Sequence, residues 1–169
     1  MPTPIHDIVI RGADAELLTF PDGSSMHLLA DRNRTRDTAA MSVHRSVLAA
    51  GADGPSPHHH RATTELIYVL SGTLELLVDN CIAVASHGDL VVIPPGVSHA
   101  FGASPGCAVE VLDIATPGGA RFEWFRHLSR VANGSLTASP QPIVPAPDDT
   151  YADISPAWRS ARSTEARTR

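Results

Sequence analysis

Lysine is absent from this 169-residue chain: all thirteen basic residues are arginine, set against eighteen acidic ones, for a net charge of −5. With no basic stripe, neither nucleic acid nor an anionic membrane surface is expected as a main partner, because both select for clustered cations. Cysteine is almost absent too. Cys81 and Cys107 lack Cys-x-x-Cys spacing and sit in strand-like segments, so two reduced thiols are expected in place of a disulfide or a thiolate metal site. No apolar run is long enough to span a bilayer, and Met1 to Ile10 lacks the basic start and long apolar stretch of a secretory signal. A cytoplasmic location is therefore expected. Aromatics are scarce, at 5%, and charged residues make up only 18%, yet hydrophobic residues reach 43%, which excludes a wholly disordered chain. A chain of this length supports one core.

What is present is a succession of short apolar runs broken by turn residues. Ile8-Val9-Ile10, Leu17-Leu18 and Met26 to Leu29 read as short strands, and Arg32 to Thr38 as a polar loop. From Met41 to Ala49 the pattern has period two, with Ser42, His44, Ser46 and Leu48 on one side. Further strands are expected at 65–70, 73–78, 82–85, 90–93, 98–101 and 108–114, separated by Ser71-Gly72, Asp79-Asn80, Gly88-Asp89, Pro94-Pro95-Gly96 and Pro105-Gly106. Many short strands at regular spacing predict an all-β sandwich or closed barrel, and closure would remove exposed strand edges. The period then changes. Residues 120–132 repeat apolar positions every three to four, Phe122, Phe125 and Leu128 or Ser129, which predicts one amphipathic helix. After Asn133-Gly134 the chain is rich in proline, so residues 1–133 are expected to form the domain and 134–169 an extended or disordered tail, with Tyr151, Ile154 and Trp158 spaced for a short docking helix.

The densest chemistry lies in Pro57-His58-His59-His60-Arg61-Ala62-Thr63-Thr64-Glu65. In an extended segment alternate side chains share a face, so His58 and His60 converge while His59 points away. Two imidazoles about 6.6 Å apart at Cα can reach one ion. A turn then lets Glu65 add an oxygen ligand, or pair instead with Arg45 or Arg61 as a solvated ion pair. The second run, Gly88-x5-Pro94-x-Gly96-x2-His99, returns His99 on a neighbouring strand toward the same point. Three imidazoles and a carboxylate suit one divalent first-row ion and leave coordination positions open.

Together these runs resemble the two motifs of the cupin superfamily, His58-x-His60-x4-Glu65-x6-Gly72 and Gly88-x5-Pro94-x-Gly96-x2-His99, with 15 residues between them. The motifs depart from the family pattern only at Ala52 and Ala103, both structural positions. The resemblance implies a double-stranded β-helix, a jelly-roll barrel, with metal ligands His58, His60, Glu65 and His99. Within the superfamily, Ile67 to Gly72, Val92 to Phe101 and Thr116-Pro117-Gly118-Gly119 are most similar to the quercetin-dioxygenase-like group, and small polyketide cyclases also resemble it.

That resemblance implies a metal-dependent enzyme acting on a small phenolic or enolic, flavonol-like or polyketide-derived molecule. A metal cation stabilises the oxyanion formed when such a hydroxyl ionises. Glu65 is the expected catalytic residue, a ligand that can accept the substrate proton. With Fe, Mn, Ni, Co or Cu the bound substrate can react with dioxygen, making a dioxygenase. With Zn it would cyclise or isomerise without redox change. A binding protein that catalyses nothing is the third reading. Phe101, Tyr68 and His44 are candidate walls of the substrate pocket. A homodimer is expected, with Ile5 to Ile10 adding to a neighbour's sheet.

Overall fold

The computed structural model describes residues 9–31, 41–119, 121–136 and 149–163. A 3-10 turn at Gly12–Asp14 precedes strands β1 (Glu16–Thr19) and β2 (Ser25–Ala30). Then follow β3 (Ser42–Leu48), β4 (His58–His60), β5 (Thr64–Ser71), β6 (Thr73–Val78) and β7 (Cys81–Ser86). Next come β8 (Leu90–Ile93), β9 (His99–Ala103) and β10 (Val109–Thr116), then helix α1 (Phe122–Ala132), strand β11 (Thr150–Ala152) and helix α2 (Pro156–Ala161).

The strands form two antiparallel sheets, one six-stranded in the order β1-β2-β3-β10-β5-β8 and one five-stranded in the order β11-β4-β9-β6-β7. Alternation decides what each strand contributes. Ser42, His44, Ser46 and Leu48 of β3 are buried while their neighbours are partly exposed, and Val109, Val111, Asp113 and Ala115 of β10 do the same. The inward faces meet in one apolar core that draws on both sheets: Leu48, Ile67, Val69, Ile93, Val109 and Val111 from the first, Leu74, Leu76, Ala85, Phe101 and Ala103 from the second. Burying a side chain of this size contributes roughly 1.5–3 kcal/mol.

The closed jelly-roll barrel expected from the strand pattern is not formed. Each sheet keeps two free ends, β1 and β8 in one and β11 and β7 in the other, and no ladder joins them among the described residues. The chain crosses from β7 to β8 through a tight turn, in which the Asp89 side chain accepts from the Ser86 N–H at 2.7 Å, and the two strands enter different sheets. An open pair of sheets and a closed barrel bury the same alternate residues, so period two could not tell them apart.

Helix α1 packs on the six-stranded sheet: Phe122 is buried with Leu18 and Leu28, and Phe125 lies against them. Of the two alternatives for the third position of that face, Ser129 is buried and Leu128 exposed, and His127 is buried as well. The Ser129 hydroxyl donates to the Thr19 carbonyl at 3.0 Å. Helix α2 is begun by Ser155, whose hydroxyl accepts from the Trp158 N–H, with proline at the first helical position. Trp158 buries against Leu77 and Ala100 on the five-stranded sheet, whereas Ile154 and Tyr151 of the expected docking cluster are exposed. Arg162 does much of the anchoring, reaching Asp53 and Glu75 at 2.6 Å and three main-chain carbonyls. Val9 and Ile10 lie outside any strand, while residues 5–8, the loop 32–38 and the prolines at 140–147 fall outside the described residues. No helix among the described residues is long and apolar enough to cross a membrane.

Gly72 turns β5 into β6 at φ 80°. A Cβ there would sit 2.0 Å from the Ala108 carbonyl oxygen. Gly72→Ala should therefore lower unfolding free energy by about 2 kcal/mol or more, read from the urea midpoint, and an unchanged midpoint would show that the turn relaxes freely.

Candidate metal centre

Strand β4 is only three residues long, and its alternation sends His58 and His60 inward and His59 out. His59 accordingly meets Asp153 at 3.0 Å and stacks on Tyr151, on the far side from the cluster. Strand pairing places His99 of β9 directly opposite His58. Glu65 arrives from the other sheet, on the inward face of β5 with Ile67 and Val69. The four side chains of His58, His60, Glu65 and His99 each present one ligand atom, all within 4.8 Å of one another. The Glu65 carboxylate accepts from His99 Nε2 at 2.9 Å and lies 3.1 Å from His60 Nε2. Arg45 and Arg61, the alternative partners for Glu65, are engaged elsewhere: Arg45 with Glu110 at 3.1 Å, Arg61 over the Tyr151 ring.

Each histidine is aimed by its other nitrogen. His58 Nδ1 donates to the Ser56 carbonyl at 2.8 Å and His99 Nδ1 to the Val97 carbonyl at 2.9 Å. His60 Nδ1 lies 3.1 Å from the Thr150 hydroxyl, because β11 pairs along β4 with Thr150 opposite His60. Tying Nδ1 in this way fixes the ring and leaves Nε2 to face the centre, the arrangement that holds histidines ready for a metal ion. His60, Glu65 and His99 are buried and His58 is half-buried, so the cluster meets solvent on the His58 side. A cavity of about 550 Å³ lies where helix α2 meets the 53–57 segment, lined by Ser56, Pro57, Asp153, Trp158 and Arg162 and by none of the four clustered side chains.

The electrostatics agree with a donor set prepared for a cation. Burial pushes His58 down to about 4, aided by the neighbouring His99, so this imidazole is neutral at pH 7. Burial works against ionisation of Glu65, but hydrogen bonds from His60, His99 and Asp113 overcome it and hold its carboxyl well below the usual range. For His99 burial is likewise outweighed, here by the Glu65 carboxylate, and its affinity for a proton is raised. A divalent ion in that position would take over what the proton does, neutralising a buried carboxylate. The donor set of three imidazoles and one carboxylate thus fits a first-row divalent cation.

Several residues around the cluster carried no mark in the motif. Asp113, inward on β10, hydrogen-bonds Glu65, and burial together with the negative charge of Glu65 pushes its carboxyl well above the usual range. Of this buried pair, Asp113 keeps its proton to higher pH than Glu65 does. A lone acid at an inward position of an apolar alternation was the signal for it. Asp149, Thr150 and Asp153 come from the segment read as a tail, and nothing local in the sequence ties them to His60. Of the candidate pocket walls, His44 lies 3.8 Å from Asp113 and against the Phe125 ring, whereas Phe101 is packed into the apolar core. Tyr68 projects from the opposite face of β5 to Glu65 and is exposed, as alternation requires.

Burial pushes His44 down to about 4 from 6.5. Between those values the unfolded chain binds a proton that the folded chain does not, so stability falls as pH falls through that window. In chelator-treated protein, wild type should lose about 2 kcal/mol more than His44→Phe between pH 7 and pH 5 in denaturant titrations. Equal losses would show that His44 does not carry this cost.

The model of the cupin domain family matches residues 44–115, from His44 on β3 to Ala115 on β10. Among curated proteins none matches the sequence. Solved structures do. KdgF from Halomonas sp. superposes with a TM-score of 0.57 at 19% identity, covering 67% of this chain and 96% of that one. An RmlC-like cupin from Shewanella frigidimarina gives 0.54 at 23% identity, covering 68% and 92%. The polyketide cyclase RemF from Streptomyces resistomycificus gives 0.53 at 20% identity, covering 69% and 80%. At these identities the likeness speaks for the fold, two antiparallel sheets of the cupin kind. Residues 44–115, which hold both motifs and all four clustered side chains, match the cupin domain family.

Proposed function

We propose that the protein is a metal-dependent enzyme acting on a small phenolic or enolic molecule, and that its reaction is a dioxygenation. The observation that carries this reading is the cluster itself: four ligand atoms within 4.8 Å, on side chains whose other hydrogen-bonding atoms are already occupied. His58, His60, Glu65 and His99 would hold the ion. When bound, a redox-active divalent ion supplies stabilisation of a substrate oxyanion and a path for electrons to dioxygen.

The chain's own residues do the rest. Ser56, Val97 and Thr150 keep the three imidazoles aimed inward. Glu65 is the one carboxylate within the cluster, and it can take the hydroxyl proton of a substrate placed beside it. Asp113, holding its own proton against Glu65, keeps that carboxylate pointed and partly neutralises it when the proton leaves. The apolar core behind the cluster, with Phe101 and Ile67, keeps water from that side.

The same donor set suits zinc as well. With zinc the reading becomes redox-neutral cyclisation or isomerisation, and product formed without dioxygen would select it over dioxygenation. Oxygen uptake with a flavonol such as quercetin, under multiple turnover, is the result expected from the first reading.

Elemental analysis of protein purified without chelator should find about one divalent ion per chain, falling to a small fraction in His60→Ala and in His99→Ala. Stoichiometric metal surviving both changes would overturn the ligand assignment. Thr150→Val, which leaves the four ligands in place, should weaken metal affinity by roughly tenfold through loss of the His60 brace. Glu65→Gln should lower turnover by roughly 10²–10⁴-fold, beyond any loss explained by measured metal content.

A further inference from the structure

Beside the metal cluster lies a second group of polar side chains that the proposed chemistry does not use. Arg121, His44 and Ser42 are 7%, 7% and 1% exposed. Arg121 Nε and Nη2, His44 Nδ1 and Ser42 Oγ have no hydrogen-bond partner among the described residues. Their placement follows from the fold. Ser42 and His44 are successive inward residues of β3, opposite Ala115 and Asp113 of β10. Arg121 stands at the entry to α1, close enough for its charge to act on both His44 and Asp113. It is also one residue from the cluster, because Asp149 Oδ1 lies 3.6 Å from Arg121 Nη2 and 3.9 Å from His60 Nδ1.

A buried guanidinium with two free N–H groups is costly, since each unmade hydrogen bond leaves its full desolvation penalty. The carboxyl groups nearby do not relieve it. Glu65 is committed to His60 and His99, Asp113 is hydrogen-bonded to Glu65, and Asp149 stands beyond hydrogen-bond distance, its nearer contact being the Thr63 hydroxyl. With His44 in its Nδ1–H tautomer, the unpartnered atoms of Arg121, Ser42 and His44 are all donors. Such a set lacks a planar anionic acceptor, and a guanidinium fork beside a hydroxyl is matched by a carboxylate.

We propose that Arg121, with Ser42 and His44, forms a subsite for a carboxylate group of the substrate, held beside the metal centre. The substrate class narrows accordingly, to phenolic or enolic acids, with the oxygen that ionises directed to the metal cluster and the carboxylate to Arg121. This rests on the metal-enzyme reading for the first of those two groups, while the carboxylate subsite is built from this chain's residues alone.

The test titrates the full chain, metal-loaded and chelator-treated in parallel, with acetate and with its neutral isostere acetamide, followed by NMR. In both preparations acetate should bind about tenfold more tightly than acetamide. Arg121→Gln should abolish that preference, Arg121→Lys should retain part of it, and Ser42→Ala should weaken it by about threefold. In wild type, one arginine Nε–H resonance, missing from Arg121→Lys, should shift with acetate and stay still with acetamide. That measurement decides the matter even where Arg121→Gln fails to fold. An Nε–H signal that acetate does not move, or an acetate preference unchanged in Arg121→Gln, overturns the proposal. A preference confined to metal-loaded protein and indifferent to Arg121 assigns the carboxylate to the ion, and so overturns the subsite while leaving the metal reading intact. Absence of metal with the Arg121-dependent preference retained does the reverse.

Discussion

A single carboxylate spans the gap between the two sheets. Glu65 belongs to the six-stranded sheet, whereas His58, His60 and His99 belong to the five-stranded one, and their contact joins β5 to β4 and β9 beside the apolar core. Buried as it is, the Glu65 charge would be costly without its partners. His60, His99 and Asp113 supply them. The strand positions of four separate elements are therefore constrained together, and a shift of one residue in β4 would turn His58 and His60 outward and leave Glu65 uncompensated.

This constraint explains why the surrounding structure is so fully committed. Two main-chain carbonyls and one hydroxyl orient the histidines. The hydroxyl comes from β11, which is short, pairs only with β4, and covers an edge that would otherwise expose the ligand strand. Arg162 and Trp158 of the following segment hold β11's continuation against the five-stranded sheet. The C-terminal segment thus serves the site by bracing His60, although it contributes no ligand. Positioning groups of this kind set the ring orientation and basicity of the residues that face a metal.

The neighbourhood of the cluster divides into two chemical halves. On one side stand acceptors and imidazoles, a place for a cation. On the other stand unpartnered donors, Arg121, Ser42 and His44, a place for an anion. Asp113 and Asp149 lie between, the first hydrogen-bonded to Glu65, the second near both Arg121 and His60. On the proposed reading, a molecule that carries an ionisable hydroxyl and a carboxylate would meet both halves at once, which would give orientation as well as affinity.

The grouping of His58, His60, Glu65 and His99 was legible in the sequence because its spacing is dictated by local geometry. Period two makes His58 and His60 share a face, and Gly88, Pro94 and Gly96 place a tight turn before His99. The strands, the turns and helix α1 were legible for the same reason, since alternation and helical period are properties of consecutive residues. What consecutive residues could not reveal is how separate pieces meet. Whether the sheets closed or stayed open depended on pairing at their far edges, and alternation is the same in both cases. Thr150 beside His60 and Asp113 against Glu65 are 90 and 48 positions away along the chain, and Arg121 reaches the site only through the turn that starts α1. Local periodicity determined which residues face inward; only the tertiary packing decided which of those inward residues touch, because contact between distant segments follows from the arrangement of sheets and not from the repeat along any one strand.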